Sequence, residues 1–287
     1  MRRTTAFLAA TLLSMTPVFA GTPTPRWETL PPSQPLPAMA RQGYVERDHA
    51  RIWYGVIGNG KPVLLLHGGM ASSQGWGDQV AALLRDHRQV ILVDSRGHGR
   101  STLGDQPLGY ERMEADVIAV LDTLGVKRTD VVGWSDGANV SLILAMKHPQ
   151  RAGAIYAFGA NMNTDATKPD AFSAPILKAV VERLAGDYAH LSSTPDGFGK
   201  LHEAVEAMQK VEPNYPKERL AAIHGPRIAI VDGDHDEFIK DEHTAYLART
   251  IPGATLIVLP GVSHFAPWQA PGEFNASLLG FLDQPGR

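Results

Sequence analysis

One serine has neighbours that could make its hydroxyl a nucleophile. Ser135 lies in the segment 133–137, whose sequence GWSDG fits G-x-S-x-G. An apolar run ends at Val132, directly before this segment, and a helical pattern begins directly after it. A sharp turn from a strand into a helix would lift the hydroxyl out of the sheet edge, and flanking glycines avoid clashes in that turn. The alternative is a glycine-rich turn with an incidental serine. The flanking strand and helix favour Ser135 as the nucleophile.

A serine hydroxyl needs a general base, because it is weakly nucleophilic in its protonated form. The sequence has 11 histidines, most of which would be surface or core residues. His264 lies in GVSHF, immediately after the last apolar strand pattern. A loop at that position can bring an imidazole back over the sheet edge. We therefore predict His264 as the base.

The acid that orients the base is expected between the nucleophile and the histidine in the chain. The segment 232–237, DGDHDE, follows the strand pattern at 227–231 and offers several carboxylates. Asp236 is the fourth residue of a G-x-x-D pattern and lies far enough past the strand to turn toward an imidazole. Asp234 is the rival candidate, and Asp232 belongs to the strand end. Asp236 would fix the tautomer of His264 and stabilise its charged form.

The same acidic segment also resembles the start of a calcium-binding loop, with aspartates at its first, third and fifth positions. However, Glu237 stands at the sixth position, where the tight turn needs glycine. His243 stands at the twelfth position, where a bidentate glutamate is needed. We predict no metal at this segment.

Acyl transfer also needs two backbone N–H groups for the developing oxyanion. One donor is predicted at Asp136, the residue after the nucleophile. The second is expected in the segment 67–70, HGGM, with Gly69 preferred over its neighbour Met70. His67 is interpreted as a brace for this loop.

Strand patterns alternate with helix patterns along most of the chain. The strands are predicted at 51–57, 63–66, 89–93, 130–132, 154–158, 227–231 and 255–259, and helices at 75–87, 111–124, 137–148 and 273–282. This alternation predicts an α/β fold with a mainly parallel central sheet and helices on both faces. The core would comprise residues 42–160 and 226–287. The segment 161–225 has no clear strand and is predicted to be a small helical cap over the carboxyl edge of the sheet.

The N-terminus has the features of a secretory signal. Arg2 and Arg3 precede a ten-residue apolar run at 6–15, and Ala20 ends a suitable cleavage site. That run is too short to span a bilayer. Residues 1–20 are therefore predicted to be a cleaved signal peptide, which predicts a secreted or periplasmic protein. Residues 21–41 contain six prolines and are expected to form an extended arm.

Composition excludes several classes of function. The formal net charge of −3 gives no excess of basic residues for nucleic acid. The absence of cysteine rules out disulfides, thiolate–zinc sites and a cysteine nucleophile. No later segment has 18 uninterrupted apolar residues, so no membrane span is expected after signal cleavage. The predicted partner is a small-molecule acyl substrate, and no cofactor is predicted. The sequence makes no prediction of oligomeric state.

Five segments occur in the order of the α/β-hydrolase superfamily, and the resemblance covers residues 44–282. They are HGG at 67–69, DSRGHGRS at 94–101, GWSDG at 133–137, GDHD at 233–236 and GVSH at 261–264. GWSDG and FGAN at 158–161 resemble the valacyclovir-hydrolase (biphenyl-hydrolase-like) group. The resemblance implies Ser135, Asp236 and His264 as the catalytic triad. The chain departs from it at Ala138, where a second glycine is common, and in the signal and arm.

The resemblance raises a second role for Asp136, because its carboxylate could hold a substrate ammonium group. The alternative, which we prefer, is that the carboxylate bonds to nearby backbone or caps the following helix. Relatives that act on epoxides or alkyl halides use aspartate at the nucleophile position, so Ser135 argues against both. The leading hypothesis is an ester-cleaving serine hydrolase. The alternatives are a C–C-bond hydrolase, lactonase or perhydrolase, or a non-catalytic receptor of the same fold.

Overall fold

An eight-stranded sheet lies at the centre of the computed structural model, which describes residues 24–285. The predicted signal peptide at 1–20 lies outside the described residues. The strands are Arg41–Arg47 (β1), Ala50–Ile57 (β2), Lys61–Leu66 (β3), Arg88–Val93 (β4), Thr129–Trp134 (β5), Ala152–Phe158 (β6), Arg227–Gly233 (β7) and Thr255–Leu259 (β8). Their order across the sheet is β1-β2-β4-β3-β5-β6-β7-β8.

Strands β3 to β8 pair with one another in parallel, whereas β2 runs antiparallel both to β4 and to the edge strand β1. The central strands are continuous apolar runs because helices cover both faces; every residue of β5 is buried. Parallel strands end at the same edge of a sheet. The loops that follow β3, β5, β6, β7 and β8 therefore meet there, which confirms the predicted α/β fold class.

Helices cover the two faces and follow the amphipathic patterns in the sequence. The body helices are Gly77–Arg85 (α1), Tyr110–Leu124 (α2), Asp136–Lys147 (α3), Asp241–Thr250 (α7), Ala266–Gln269 (α8) and Pro271–Leu282 (α9). In α2, Met113, Val117 and Leu121 are buried at helical spacing. The helix ends at Gly125, which has a φ of 71° that suits glycine. Within residues 24–285, no helix has the length and hydropathy needed to cross a membrane.

Three further helices lie between β6 and β7, within the predicted cap segment. They are Ile176–Leu191 (α4), Phe198–Gln209 (α5) and Lys217–Ala221 (α6). Leu201, Val205 and Met208 of α5 are buried and join the core that underlies the sheet. Burying this apolar stripe fastens α5 to the body near the carboxyl edge of the strands.

The proline-rich arm lies against the body and contains one turn that was not predicted, a 3-10 turn at Arg26–Glu28. Arg26 donates from Nε to the Gly261 carbonyl at 3.0 Å, and the Trp27 ring stacks on His235 at a centroid distance of 3.7 Å. Strand β1 was also not predicted. All seven of its residues are at least partly exposed at the sheet edge, so its sequence RQGYVER lacks the apolar pattern of a strand.

Candidate active site

Ser135 occupies a strained turn between β5 and α3. Its φ and ψ are 55° and −118°, a conformation that non-glycine residues rarely adopt. The turn is held by the Ser135 amide, which donates to the Phe158 carbonyl at 2.8 Å. A Cβ on Gly133 would lie 2.4 Å from the Gly137 carbonyl oxygen, and one on Gly137 would lie 2.2 Å from that of Leu66. Only glycine fits at both positions, so the flanking glycines permit the strained serine.

His264 and Asp236 meet over the same edge of the sheet. Nδ1 of His264 lies 2.5 Å from Oδ2 of Asp236, and both side chains are almost fully buried. Oδ1 of Asp236 accepts from the amides of Phe238 and Ile239, each at 2.7 Å. The loop after β7 thus holds the carboxylate in place, and the carboxylate orients the imidazole.

Asp236 and His264 each shift the pKa of the other toward the charged form. Burial by itself would raise the pKa of Asp236, but the adjacent His264, together with hydrogen bonds from Asp232 and the Ile239 amide, outweighs burial and holds that pKa below the ordinary value. Burial likewise opposes a charged imidazole, yet the Asp236 carboxylate raises the pKa of His264 above its ordinary value. The arrangement therefore favours a negative carboxylate beside an imidazole that is more basic than usual.

The two other aspartates of the loop have different partners. Asp234 accepts from the amide of Gly261 at 2.7 Å and does not contact His264. Asp232, still in β7, accepts from the Thr244 hydroxyl at 2.6 Å. Burial, and then the neighbouring Asp236, raise the pKa of Asp232 well above its ordinary value. Of the three candidates, the structure brings Asp236 to the imidazole.

Asp232, Asp236 and His264 also form a group that could be tested as a metal site, because they offer ligand atoms within 4.8 Å of one another. The distance of 2.5 Å between Nδ1 and Oδ2 suits a shared proton. The second oxygen of Asp236 accepts two amides, and both oxygens of Asp232 accept hydrogen bonds. The atoms that would bind a metal are already engaged in hydrogen bonds, so the group does not fit a metal ion well.

The loop after β6 contacts both Ser135 and His264. The Phe158 carbonyl accepts a hydrogen bond from the Ser135 amide, and the next residue, Gly159, lies against the His264 ring. A Cβ on Gly159, which has a φ of 66°, would lie 2.6 Å from Cε1 of that ring. Trp134 donates from Nε1 to the His264 carbonyl at 2.8 Å. The imidazole is thus fixed from the loop after β6 and from the strained turn at Ser135, which we call the elbow.

The predicted oxyanion loop lies next to the elbow. A Cβ on Gly68 would lie 3.1 Å from Cβ of Ser135, and Met70 has a φ of 60°. Within residues 24–285, the amides of Gly69, Met70 and Asp136 donate to no protein group. Their hydrogens can therefore serve a bound oxygen, and the choice between Gly69 and Met70 stays open.

His67 braces this loop. Its Nε2 accepts from the Ser95 amide at 2.9 Å, so its Nδ1 carries the proton and donates to the Gly68 carbonyl at 2.8 Å. Burial lowers the pKa of His67, which keeps the ring neutral in this role. The imidazole joins the loop after β3 to the loop after β4.

The Asp136 carboxylate has two partners that sequence reasoning missed. The Tyr110 hydroxyl donates to Oδ1 at 2.7 Å. Nε2 of Gln209, at the end of cap helix α5, lies 3.0 Å from Oδ1 and 3.2 Å from Oδ2. Burial raises the pKa of Asp136, while Tyr110 and then Gln209 oppose that shift. The expected bonds to backbone are replaced by side-chain bonds that join the elbow to the cap.

Comparison with known proteins agrees with this architecture. The α/β hydrolase fold family matches residues 61–199. A pimeloyl-[acyl-carrier protein] methyl ester esterase from Neisseria meningitidis is 28% identical over 78% of this chain and 79% of its own length. A 2-hydroxy-6-oxononadienedioate/2-hydroxy-6-oxononatrienedioate hydrolase from Paraburkholderia phymatum is 27% identical over 82% of this chain and 91% of its own length.

A solved structure of Est816, described as an N-acyl homoserine lactone degrading enzyme, has a similar fold. It matches with a TM-score of 0.70 and 28% identity, over 83% of this chain and 99% of its own. The sheet order, the elbow and these matches define an enzyme with the α/β-hydrolase fold. The chain is similar to members of the α/β-hydrolase superfamily.

Proposed function

We propose that this protein is a secreted or periplasmic serine hydrolase that cleaves carboxylic esters, lactones included. The observation that carries the proposal is the buried Asp236–His264 pair beside an elbow serine. In this arrangement His264 is the base, Asp236 orients it, and Ser135 is the nucleophile.

The reaction proceeds in two halves. Nε2 of His264 takes the hydroxyl proton as Oγ of Ser135 forms a bond to the substrate carbonyl carbon. We assign the second oxyanion donor to Gly69, with Met70 as the alternative, so the amides of Gly69 and Asp136 stabilise the negative oxygen of the tetrahedral intermediate. The intermediate collapses, the bond to the alcohol oxygen breaks, and His264 returns the proton to that oxygen. Water then attacks the acyl-enzyme by the same route and releases the acid.

The relatives support an acyl substrate, but they include enzymes that cleave different types of bond. The esterase from Neisseria meningitidis and the lactone-degrading enzyme favour the ester and lactone hypothesis. The hydrolase from Paraburkholderia phymatum favours a C–C bond as the second candidate. We place the chain near the valacyclovir-hydrolase group on the strength of GWSDG. Because Tyr110 and Gln209 occupy the Asp136 carboxylate, we do not extend that placement to amine recognition.

A substrate panel tests the proposal. Wild type and Ser135→Ala are assayed on p-nitrophenyl esters, on γ- and δ-lactones, and on a vinylogous diketone that reports C–C cleavage. The proposal predicts turnover of esters or lactones that falls by about 10⁵- to 10⁶-fold in Ser135→Ala. Turnover of the diketone alone would favour the second candidate. Tight binding of a ligand without any turnover would favour the receptor hypothesis.

The location is tested separately. The full chain is expressed in a Gram-negative host, and the N-terminus of the protein in the periplasm and medium is determined by mass spectrometry. Cleavage after Ala20 predicts a mature protein that begins at Gly21. An intact N-terminus found in the cytoplasm would contradict the proposed location.

A further inference from the structure

An aromatic side chain lies directly against the predicted base. Phe238 is two residues beyond Asp236, and its ring meets the His264 ring edge to face at a centroid distance of 4.8 Å. The Phe238 amide donates to the Asp236 carboxylate at 2.7 Å. The bond that holds the acid therefore also fixes the position of this ring beside the imidazole.

The cap adds a second aromatic ring to the first. Phe172 lies in the turn before α4, and its ring meets Phe238 edge to face at 5.7 Å. The backbone of this segment is joined to the acid loop, because the Lys168 amide donates to the Phe238 carbonyl at 2.7 Å. The two rings thus form a path from His264 to the cap surface.

Phe172 differs from an isolated apolar residue on a surface. It is 74% exposed, more than any other large hydrophobic residue that is exposed in the described part of the chain. Single exposed apolar residues are ordinary. Phe172, however, packs on the half-buried ring of Phe238, which in turn contacts the ring of His264. An apolar group of a substrate could therefore cover the rings of Phe172 and Phe238 at once.

The chemistry of the site indicates which part of a substrate lies there. His264 must deliver its proton to the leaving alcohol oxygen, so the alcohol lies on the imidazole side. The carbonyl oxygen lies on the opposite side, at the loop that contains Gly69 and Met70.

We propose that Phe238 and Phe172 form the binding site for the leaving alcohol, and that the enzyme prefers esters of apolar alkyl or aryl alcohols. This inference rests on the proposed ester hydrolase function. It concerns the alcohol only and makes no demand on the acyl group. Phe238 contacts the first carbons beyond the ester oxygen, and Phe172 contacts the far end of the group.

Two ester series test the assignment. One series keeps the acetyl group and lengthens the alcohol from methyl to butyl to hexyl. The other keeps the methyl alcohol and lengthens the acyl group from acetyl to hexanoyl. Phe172→Ala is compared with Val181→Ala, an exposed apolar residue of α4 that is 38% exposed and lies outside the aromatic path. Because both side chains are exposed, neither replacement removes much buried surface.

The expected result is a loss of kcat/KM in Phe172→Ala that grows with alcohol length and reaches about tenfold on hexyl acetate. That size corresponds to lost contact with about two methylenes. The loss in the acyl series stays constant with length, and Val181→Ala shows no length-dependent loss in either series. Circular dichroism and thermal unfolding verify that both variants are folded.

Three outcomes would overturn the inference. Phe172→Ala could match Val181→Ala in both series, or its loss could grow with acyl length instead. Either result, in an enzyme whose turnover depends on Ser135, removes the alcohol site and leaves the proposed function intact. Failure of the wild-type enzyme to cleave any ester in either series overturns the proposed function together with this inference.

Discussion

Gln209, in the last turn of a cap helix, places its side-chain nitrogen 3.0 Å from Oδ1 of Asp136, the residue that follows the predicted nucleophile. The Tyr110 hydroxyl reaches the same oxygen at 2.7 Å. A Cβ on Gly69 would lie 2.6 Å from Oδ2 of Asp136 and 3.0 Å from the Gln209 nitrogen. The cap, the elbow and the predicted oxyanion loop therefore meet at one carboxylate.

Removing the Gln209 side chain, the partner that the cap supplies to Asp136, should lower both the stability and the activity of the enzyme. Gln209→Leu leaves a buried carboxylate with one donor fewer, which costs about 1–3 kcal/mol and lowers Tm by several degrees. We expect kcat/KM to fall on all esters by a similar factor, because the elbow and oxyanion loop lose a shared restraint. Gln106→Leu, at an exposed position, is the matched control. Unchanged stability and activity in Gln209→Leu would contradict a restraining role.

The Asp136 carboxylate is expected to be structural rather than a site for amines. Asp136→Ala should lower kcat/KM equally on an α-amino ester and on its des-amino analogue, because Tyr110 and Gln209 already occupy the carboxylate. The measurement is the ratio of the two kcat/KM values in wild type and variant. A selective loss on the amino ester, by the factor of about 10 to 100 expected for a charge-assisted bond, would assign amine recognition to Asp136.

The pH dependence of kcat/KM should report the ionisation of His264 beside Asp236. His264 must be neutral to accept a proton, so kcat/KM is lost as the pH falls through its pKa and reaches a plateau above it. Burial opposes the charged form, but Asp236, together with Glu237 and Asp136, outweighs burial. The apparent pKa of His264 should therefore lie above the ordinary value of His, about 6.5.

Asp236→Asn provides the control for this assignment. This substitution removes the charge that raises the pKa of His264 and orients its ring. The acidic limb of the kcat/KM profile should therefore move to lower pH, and the plateau should fall by about 10⁴-fold. Asp234→Asn, on the same loop but bonded to the Gly261 amide, should leave the position of the limb in place. A limb that moves with Asp234 instead would reassign the acid.

Asp232 should act as a neutral acid behind the pair. It is buried, and burial together with the nearby Asp236 raises its pKa well above the ordinary range. Asp232→Asn should therefore keep kcat/KM within about threefold, whereas Asp232→Leu should lose far more because Thr244 and the Gly233 amide lose their acceptor. Infrared difference spectra should show one protonated carboxyl band in wild type that is missing in Asp232→Asn. Its absence from wild type at neutral pH would contradict a neutral Asp232.

The parts of the structure that the sequence predicts are those encoded by local pattern. Buried strands are apolar runs, and the turns that follow them carry glycine and polar residues, so the sheet and the loops of Ser135 and His264 were foreseeable. Local geometry also favoured Asp236 over Asp234. Strand β1 lacked such a pattern because it is an exposed edge strand that pairs with only one neighbour.

Contacts made by the cap could not be predicted in the same way. Gln209 and Asp136 are 73 residues apart, and nothing in the sequence around Gln209 marks it as a partner for a carboxylate. Their contact depends on how α5 packs its apolar stripe on the body. The pairing of Phe172 with Phe238 depends likewise on the path of the chain before α4. Such contacts follow from tertiary packing and leave no periodic signal.

Covalent labelling of Ser135 tests the central claim most directly. The folded protein is treated with a fluorophosphonate, and the adduct is located by peptide mass spectrometry in wild type, Ser135→Ala and the exposed control Ser193→Ala. The account predicts a single adduct on Ser135 in wild type and in Ser193→Ala, with loss of esterase activity in step with labelling, and no adduct in Ser135→Ala. An adduct at another residue, or esterase activity in Ser135→Ala equal to that of wild type, would contradict it.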